Sequence, residues 1–379
     1  MRYISLVSIE VGAPGIVTPP AEALLHTARR NEERGFDAIW WPDHLMGWHP
    51  NSVWTPDLAP LAAVLPNIHS YFDPIAAITA AAGVTQTIRL GSSVTEPVRN
   101  HPGQLARAWL TLDHLTGGRA ILGIGAGEGE NITPYGISFD RPAGRLEDAL
   151  RVVRLLWSND DPVDYDGPVY TLRDAVCGMG PLVPGRFPPI WVAAHGPRLC
   201  RVTGELADGW LPTNLPLEDY AEKWERVKSG ARSAGRNPDD LTAGMWSYTV
   251  VAEDHDAAHR IIEHPMVRAF VLALSAEFFE ERGAAHPLGP GNHFIDYVPT
   301  RLGADEAMAA MDKIPFNVAH DAILHGSPAD IAQKIEAYAA IGLRHIALWN
   351  VTFFADPGLI GPSYKLLTET KDEIKRIAV

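Results

Sequence analysis

Leu122-Gly123-Ile124-Gly125-Ala126-Gly127-Glu128-Gly129-Glu130-Asn131 is the stretch from which the fold is read. It continues the apolar run that begins at Ala120, so it marks a short buried strand ending in a loop. Glycines at alternate positions leave room there for close approach of backbone or ligand. The spacing does not make a dinucleotide fingerprint: after Gly123 and Gly125 that pattern requires glycine at position 128, which is Glu128. Two readings of the loop stay open at this point, a ligand-facing strand end and a glycine-rich turn with solvated acids.

Outward from this stretch, strand and helix patterns alternate. Strands are expected at 3–9, 36–41, 88–94, 120–125, 190–194, 208–212, 243–251 and 345–350. Between them lie helical patterns with clear punctuation. Pro102 stands at a favoured first-turn position and Gly117-Gly118 ends that helix. Ser327-Pro328-Ala329-Asp330 combines a serine cap, a first-turn proline and a first-turn acid. Eight strands, most followed by a helix, predict one α/β domain over 1–379, a (β/α)8 TIM barrel. A doubly wound open sheet is the second choice. Insertions are expected at about 48–72, 158–188 and 254–316, and Tyr165 to Tyr170 reads as a turn between two short strands.

Composition narrows the function classes. The 379 residues carry a formal net charge of −14, which disfavours general binding to nucleic acid or to an anionic membrane surface. The two cysteines, Cys177 and Cys200, make neither a zinc pattern nor a disulfide framework and read as reduced thiols. With no signal-peptide pattern and no run of membrane-spanning length, a cytoplasmic location is expected. A small-molecule substrate is the expected partner.

Barrel enzymes take their chemistry from the C-terminal ends of strands. That rule selects Trp41-Pro42-Asp43-His44 with Trp48, then Ser92 to Glu96, Gly127-Glu128, Ala194-His195-Gly196, and Thr213-Asn214. An imidazole is the natural proton carrier near neutral pH, and a carboxylate beside it could fix its tautomer. The pair Asp43-His44 also reads as a loop histidine beside a capping acid. Gly196-Pro197-Arg198 opens a helix directly after a strand, where free amides suit a phosphate, or are simply a helix start. Trp40 is assigned to the core, and Trp48 and Trp54 to a pocket wall. His44, His49 and His69 match no common metal spacing, so no metal is expected. The absence of a G-x-S-x-G elbow argues against a hydrolase.

With these residues in place, the chain resembles the luciferase-like monooxygenase superfamily, in its branch dependent on coenzyme F420, a deazaflavin. The pieces that carry the resemblance are Trp41-Pro42-Asp43-His44 with Trp48, Leu90 to Val94, Gly118 to Glu128, Pro189 to Pro197, and Ala207-Asp208-Gly209-Trp210. Within the branch, the run from Gly125 to Arg145 is most similar to phthiodiolone-type ketoreductases. The deazaflavin-dependent glucose-6-phosphate dehydrogenase is a more distant likeness.

The resemblance implies catalytic roles for His44, Glu128 and Asp43, with Asp43 orienting His44. It implies a cofactor site made by Asp43, Ser93, Val94, Gly127, Glu128, Ala194, His195, Gly196 and Thr213, with a cis peptide between Ser93 and Val94. It also implies a place for Trp48 near substrate, while Glu130 is left as an ordinary loop acid. Departures from the dehydrogenase are His195 in place of glycine, Pro216 in place of the lysine serving the sugar phosphate, and Glu96 in place of threonine. They disfavour a sugar phosphate. The expected activity is hydride transfer between the deazaflavin C5 and a ketone or secondary alcohol of apolar or lipid-like character. The resemblance also implies a possible homodimer, and the alternatives are an FMN-dependent luciferase-like monooxygenase and a cofactor-binding barrel without turnover.

Overall fold

The structure is a computed structural model that describes residues 8–377. Its strands are β1 (Glu10–Pro14), β2 (Ala38–Trp41), β3 (Arg89–Ser92), β4 (Ala120–Ile124), β5 (Val163–Asp166), β6 (Thr171–Ala175), β7 (Ile190–Val192), β8 (Gly209–Trp210), β9 (Thr242–Val251), β10 (Leu324–Gly326) and β11 (His345–Asn350). Among the described residues, β1, β2, β3, β4, β7, β8, β9 and β11 pair in that order, all parallel, and β11 returns to β1. This closes an eight-stranded TIM barrel. The open sheet is thereby excluded.

The first strand differs from its expected place. Residues 3–7 of that expectation lie outside the described residues, and β1 begins at Glu10. Val11, Gly12, Ala13 and Pro14 are all buried, so this strand is short and small-residue throughout. A strand covered on both faces carries no alternation to read. β10 was not anticipated. It lies beside the C-terminal end of β9, with Leu324, His325 and Gly326 opposite Thr249, Val250 and Val251. The ten-residue β9 is long enough to meet β8 at its start and β10 at its end. β5 and β6 form the expected hairpin outside the barrel.

Two indoles fill the barrel interior. Trp40 and Trp191 lie 5.4 Å apart between ring centroids, with Ile121, Leu211 and Ala347 around them. Glycines make the space. A Cβ on Gly91 would fall 2.5 Å from the Trp40 ring, and one on Gly209 would fall 2.7 Å from Trp191. Large and small residues thus alternate across facing strands to fill the tube.

At the N-terminal end the barrel is plugged by polar groups. The Trp40 indole donates to His345 Nε2 at 3.0 Å, His345 Nδ1 lies 3.2 Å from Glu10 Oε2, and Arg89 pairs with the same carboxylate. Around the barrel, the helix Pro328–Ala340 begins with a full capping box. The Ser327 side chain accepts from Asp330 N, while the Asp330 carboxylate accepts from Ser327 N.

Two excursions cover the opposite, C-terminal end. One spans 48–72, with one-turn helices Asn51–Val53 and Pro60–Ala63. The other runs from the end of β9 to β10 and contains short helices from His255–Ile262 to Phe316–Ala322. Their apolar side chains, among them Trp54, Phe270, Phe279 and Met311, form a second buried cluster above the strand ends. No helix among the described residues is long and apolar enough to cross a membrane.

Candidate active site

A cavity of about 1360 Å³ lies between the C-terminal strand ends and this roof. Asp43, His44, Trp48, Ser93, Val94, Gly127, Glu128, His195, Gly196 and Thr213 line it, so most of the residues selected from the sequence converge here. Two do not. Ala194 is fully buried, and its carbonyl accepts the Trp210 indole at 2.8 Å. Trp54 packs against His49 and Phe354 and donates to Leu65 O at 2.8 Å, which puts it in the roof and off the cavity wall. Its apolar surroundings are those of a loop residue, but this loop folds back on a core of its own.

His44 is the centre of the polar wall. Its side chain is 8% exposed, and Nε2 lies 3.3 Å from Glu128 Oε2. Nδ1 lies 3.1 Å from Met46 O and 3.2 Å from the amide nitrogen of Asn131. Trp48 meets the ring edge-on at 5.3 Å, and Tyr71 stacks on it at 5.5 Å. The imidazole is therefore fixed on both faces and at both nitrogens.

Asp43 was expected to orient this ring. Its carboxylate instead accepts from Thr95 Oγ1 at 2.6 Å and pairs with Arg99 at 3.1 Å. Arg99 also bonds Glu96 at 2.6 Å, a carboxylate raised by its burial even though Arg99 opposes the rise. Adjacent residues at a strand end point in different directions, and the pair is split by that geometry. Asp43 anchors the β2 end to the β3 loop.

Asn131, which sequence reasoning missed, ties the His44 loop to the Glu128 loop. Asn131 Oδ1 accepts from the backbone N–H groups of Leu45 and Met46, at 2.7 and 3.2 Å, and so fixes its own amide orientation. Its Nδ2 then faces His44, Glu128 and Glu130. Glu130 was the other misreading. It is wholly buried, its Oε1 accepts from Asn131 at 2.9 Å, and it lies 3.9 Å from His44 Nδ1. Burial, with the Glu128 charge beside it, pushes its carboxyl well above the usual range. Glu130 is thus pushed toward its protonated form, behind the histidine. The only signal in the sequence was its place beside Asn131, two residues beyond Glu128.

His44, Glu128 and Glu130 also offer ligand atoms within 4.8 Å of one another, an arrangement that the histidine spacing had not suggested. His49 and His69 belong elsewhere: His49 Nε2 bonds Met266 O at 2.7 Å, and His69 Nδ1 accepts from Gly47 N.

Other cavity atoms lack partners inside the protein. Among the described residues, Ser93 Oγ and Trp246 Nε1 are buried without a hydrogen bond, and so is Glu130 Oε2 behind the wall. Such atoms are costly unless a bound molecule satisfies them. The Ser93–Val94 peptide is cis. Beside it, a Cβ on Gly125 would fall 2.8 Å from Val94, and Gly127 takes φ +93°. These glycines clear the backbone from the cavity floor.

Farther along the wall, His195 accepts from Thr213 N through Nε2 at 3.1 Å, and burial holds its pKa down to about 4. It is therefore a neutral acceptor that joins the β7 and β8 ends. Gly196 opens the helix Pro197–Leu206, and Arg198, Lys223 and Arg226 line the cavity near it. Helix N-terminal amides with nearby cations suit an anionic group.

The fold and this convergence of strand ends define the class. The family model of the luciferase-like monooxygenases matches residues 1–345, and the chain belongs to that family. It is 33% identical over 323 residues to a phthiodiolone/phenolphthiodiolone dimycocerosates ketoreductase of a Mycobacterium species, covering 84% of each chain. It is 28% identical over 333 residues to an F420-dependent glucose-6-phosphate dehydrogenase of Microbacterium testaceum, covering 86% of this chain and 85% of that one. Among solved structures, an F420-dependent secondary alcohol dehydrogenase in complex with an F420-acetone adduct superposes with a TM-score of 0.72 at 20% identity, over 97% of this chain and 99% of that one. A riboflavin lyase with modified FMN superposes with a TM-score of 0.68 at 17% identity, over 98% and 93%. These last two likenesses establish the barrel alone.

Proposed function

We propose that this chain is a coenzyme F420-dependent oxidoreductase that moves a hydride between the deazaflavin and a ketone or secondary alcohol. The observation that carries this reading is His44 on the cavity wall, with Glu128 at its Nε2 and the buried Asn131 and Glu130 beside it. Its support from relatives is the named ketoreductase at 33% identity.

The residues present fit such a cofactor. Ser93 Oγ and Trp246 Nε1 are unpartnered, Gly125 and Gly127 leave the floor clear, and the Gly196 helix start with its cations suits an anionic tail. When bound, the reduced deazaflavin would supply a hydride from its C5. Asp43, Ser93, Val94, Gly127, Glu128, His195, Gly196 and Thr213 are the residues that would hold it.

Carbonyl reduction also needs a proton at the nascent alkoxide. His44 is the donor in this reading, since its Nε2 lies on the cavity side next to Glu128. The Met46 carbonyl accepts from Nδ1–H and fixes the ring, so the proton that moves is the one on Nε2, and Glu130 lies 3.9 Å behind Nδ1. In the reverse direction His44 accepts the proton of the alcohol. Trp48, Tyr71 and Phe278 give the cavity an apolar side, which suits an apolar or lipid-like substrate over a sugar phosphate.

Absorbance-monitored titration with F420 and, separately, FMN tests the cofactor. A ketone and alcohol panel read by loss or gain of oxidised-deazaflavin absorbance tests the reaction. Micromolar F420 binding with turnover of an apolar ketone is expected. Binding of FMN alone would turn the reading to a flavin monooxygenase, and binding of F420 with no turnover across the panel would leave a barrel that binds without reacting.

A further inference from the structure

A second histidine cluster lies away from the cavity wall just described. His259 comes from the helix His255–Ile262, His320 from the helix Phe316–Ala322, and His325 from the middle of β10. Each offers a ring nitrogen within 4.8 Å of the other two. The first two helices are the beginning and the end of the long excursion between β9 and β10.

Two of the three rings leave a buried nitrogen unmatched. His325 is fully buried, and its Nδ1 lies 2.7 Å from Ile323 O. A carbonyl only accepts, so Nδ1 carries the hydrogen and Nε2 carries the lone pair. Nε2 has no partner, and neither does the buried Nε2 of His259. His320 Nδ1 lies 3.2 Å from Asp321 Oδ1, so a carboxylate holds that ring through one nitrogen. Metal-bound histidines characteristically donate their second ring nitrogen to a backbone carbonyl or a carboxylate, as His325 and His320 do here.

We propose that His259, His320 and His325 bind a divalent transition-metal ion, best matched by Zn2+, which ties both ends of the excursion to β10. Three imidazoles select zinc and its neighbours over magnesium or calcium, which prefer oxygen. Zinc–nitrogen bonds of about 2.0–2.1 Å require the rings to close slightly from their present spread. His255, one turn before His259 with ring centroids 4.0 Å apart, stands at the exposed edge, where it or water completes the coordination.

Burial holds His325 down to about 3 and lowers His259, the direction that favours ligation. The charges nearby oppose one another. Lys334 donates to His325 O at 3.1 Å and works against a cation, while Asp256, Asp321 and Asp330 work for it. If the cluster served packing alone, against Phe316 for example, the two buried ring nitrogens would stay unmatched.

The test is calorimetric titration of chelator-stripped full-length protein with ZnCl2, with MgCl2 as control. About one equivalent of zinc should bind, and not magnesium. Binding should weaken at least about tenfold in His259→Gln and in His320→Ala. It should stay unchanged in Glu128→Gln, which removes a ligand from the other cluster. His320 is half-exposed, so its truncation decides the matter even if a His325 variant fails to fold. Zinc should also raise Tm in the wild type and not in His320→Ala. Absence of saturable binding, binding indifferent to both histidine variants, or binding lost in Glu128→Gln would each overturn the site.

Discussion

The two ends of the barrel each hold a histidine beside a glutamate, and they are built differently. At the N-terminal end, both nitrogens of His345 are engaged, one by the Trp40 indole and one by Glu10, and Arg89 neutralises the carboxylate. At the C-terminal end, His44 faces two glutamates, one wholly buried with an unpartnered oxygen, and the wall nearby holds more unpartnered atoms. The first cluster is closed on itself and can only hold the strands together. The second is left open toward a cavity, which is the condition for acting on something else. Satisfaction of hydrogen bonds separates the two clusters where residue type does not.

The largest effect that would break this contrast is at His44. His44→Ala should keep cofactor binding and lose turnover by about 10²–10⁴-fold. Ketone reduction at the wild-type rate would remove the distinction between the two ends. His345→Ala should do the opposite. It leaves the buried Trp40 indole without its acceptor, so the denaturation midpoint should fall by the equivalent of about 1–3 kcal/mol with kcat/KM unchanged. A loss of activity without loss of stability would show that the lower cluster is not purely structural.

The smallest effect concerns Glu130. Its folded pKa lies above the unfolded value, so its contribution to stability is full below the unfolded pKa and declines as pH rises through the folded one. Glu130→Gln cannot ionise and keeps an acceptor for Asn131. Its Tm should match the wild type in acid and exceed it by about 1–3 °C at neutral to alkaline pH. Parallel Tm curves across pH would show that the buried carboxyl gives up its proton without cost.

Much of the barrel could be read from the chain because its strands are short apolar runs closed by glycine or proline. Even the two-residue β8 was marked by Asp208-Gly209-Trp210. β10 was not, because three residues with a histidine at the centre carry no period. At the site, His44 and Glu128 stood out through their places at strand ends. Glu130 did not, because its burial is decided from far away: a Cβ on Gly129 would fall 1.8 Å from Ile295 O, in the excursion that closes over this loop. Glycines around an acid look like exposure in sequence and become close packing when a remote segment settles on them. The roles of Asp43 and Asn131 were set by side-chain direction, which no spacing encodes.

The paired indoles inside the barrel have an optical consequence. Trp40 and Trp191, at 5.4 Å and inclined by 41°, are close enough for their transition dipoles to couple. Circular dichroism should therefore carry a contribution from the barrel interior that Trp191→Phe removes, leaving that of the Trp246–Trp349 pair, 5.4 Å apart at the cavity. Trp48 and Trp246 sit at the cavity, so quenching of their emission should follow ligand entry. One chromophore type then gives two separate signals, so melting of the tube and filling of the cavity can be timed in the same sample.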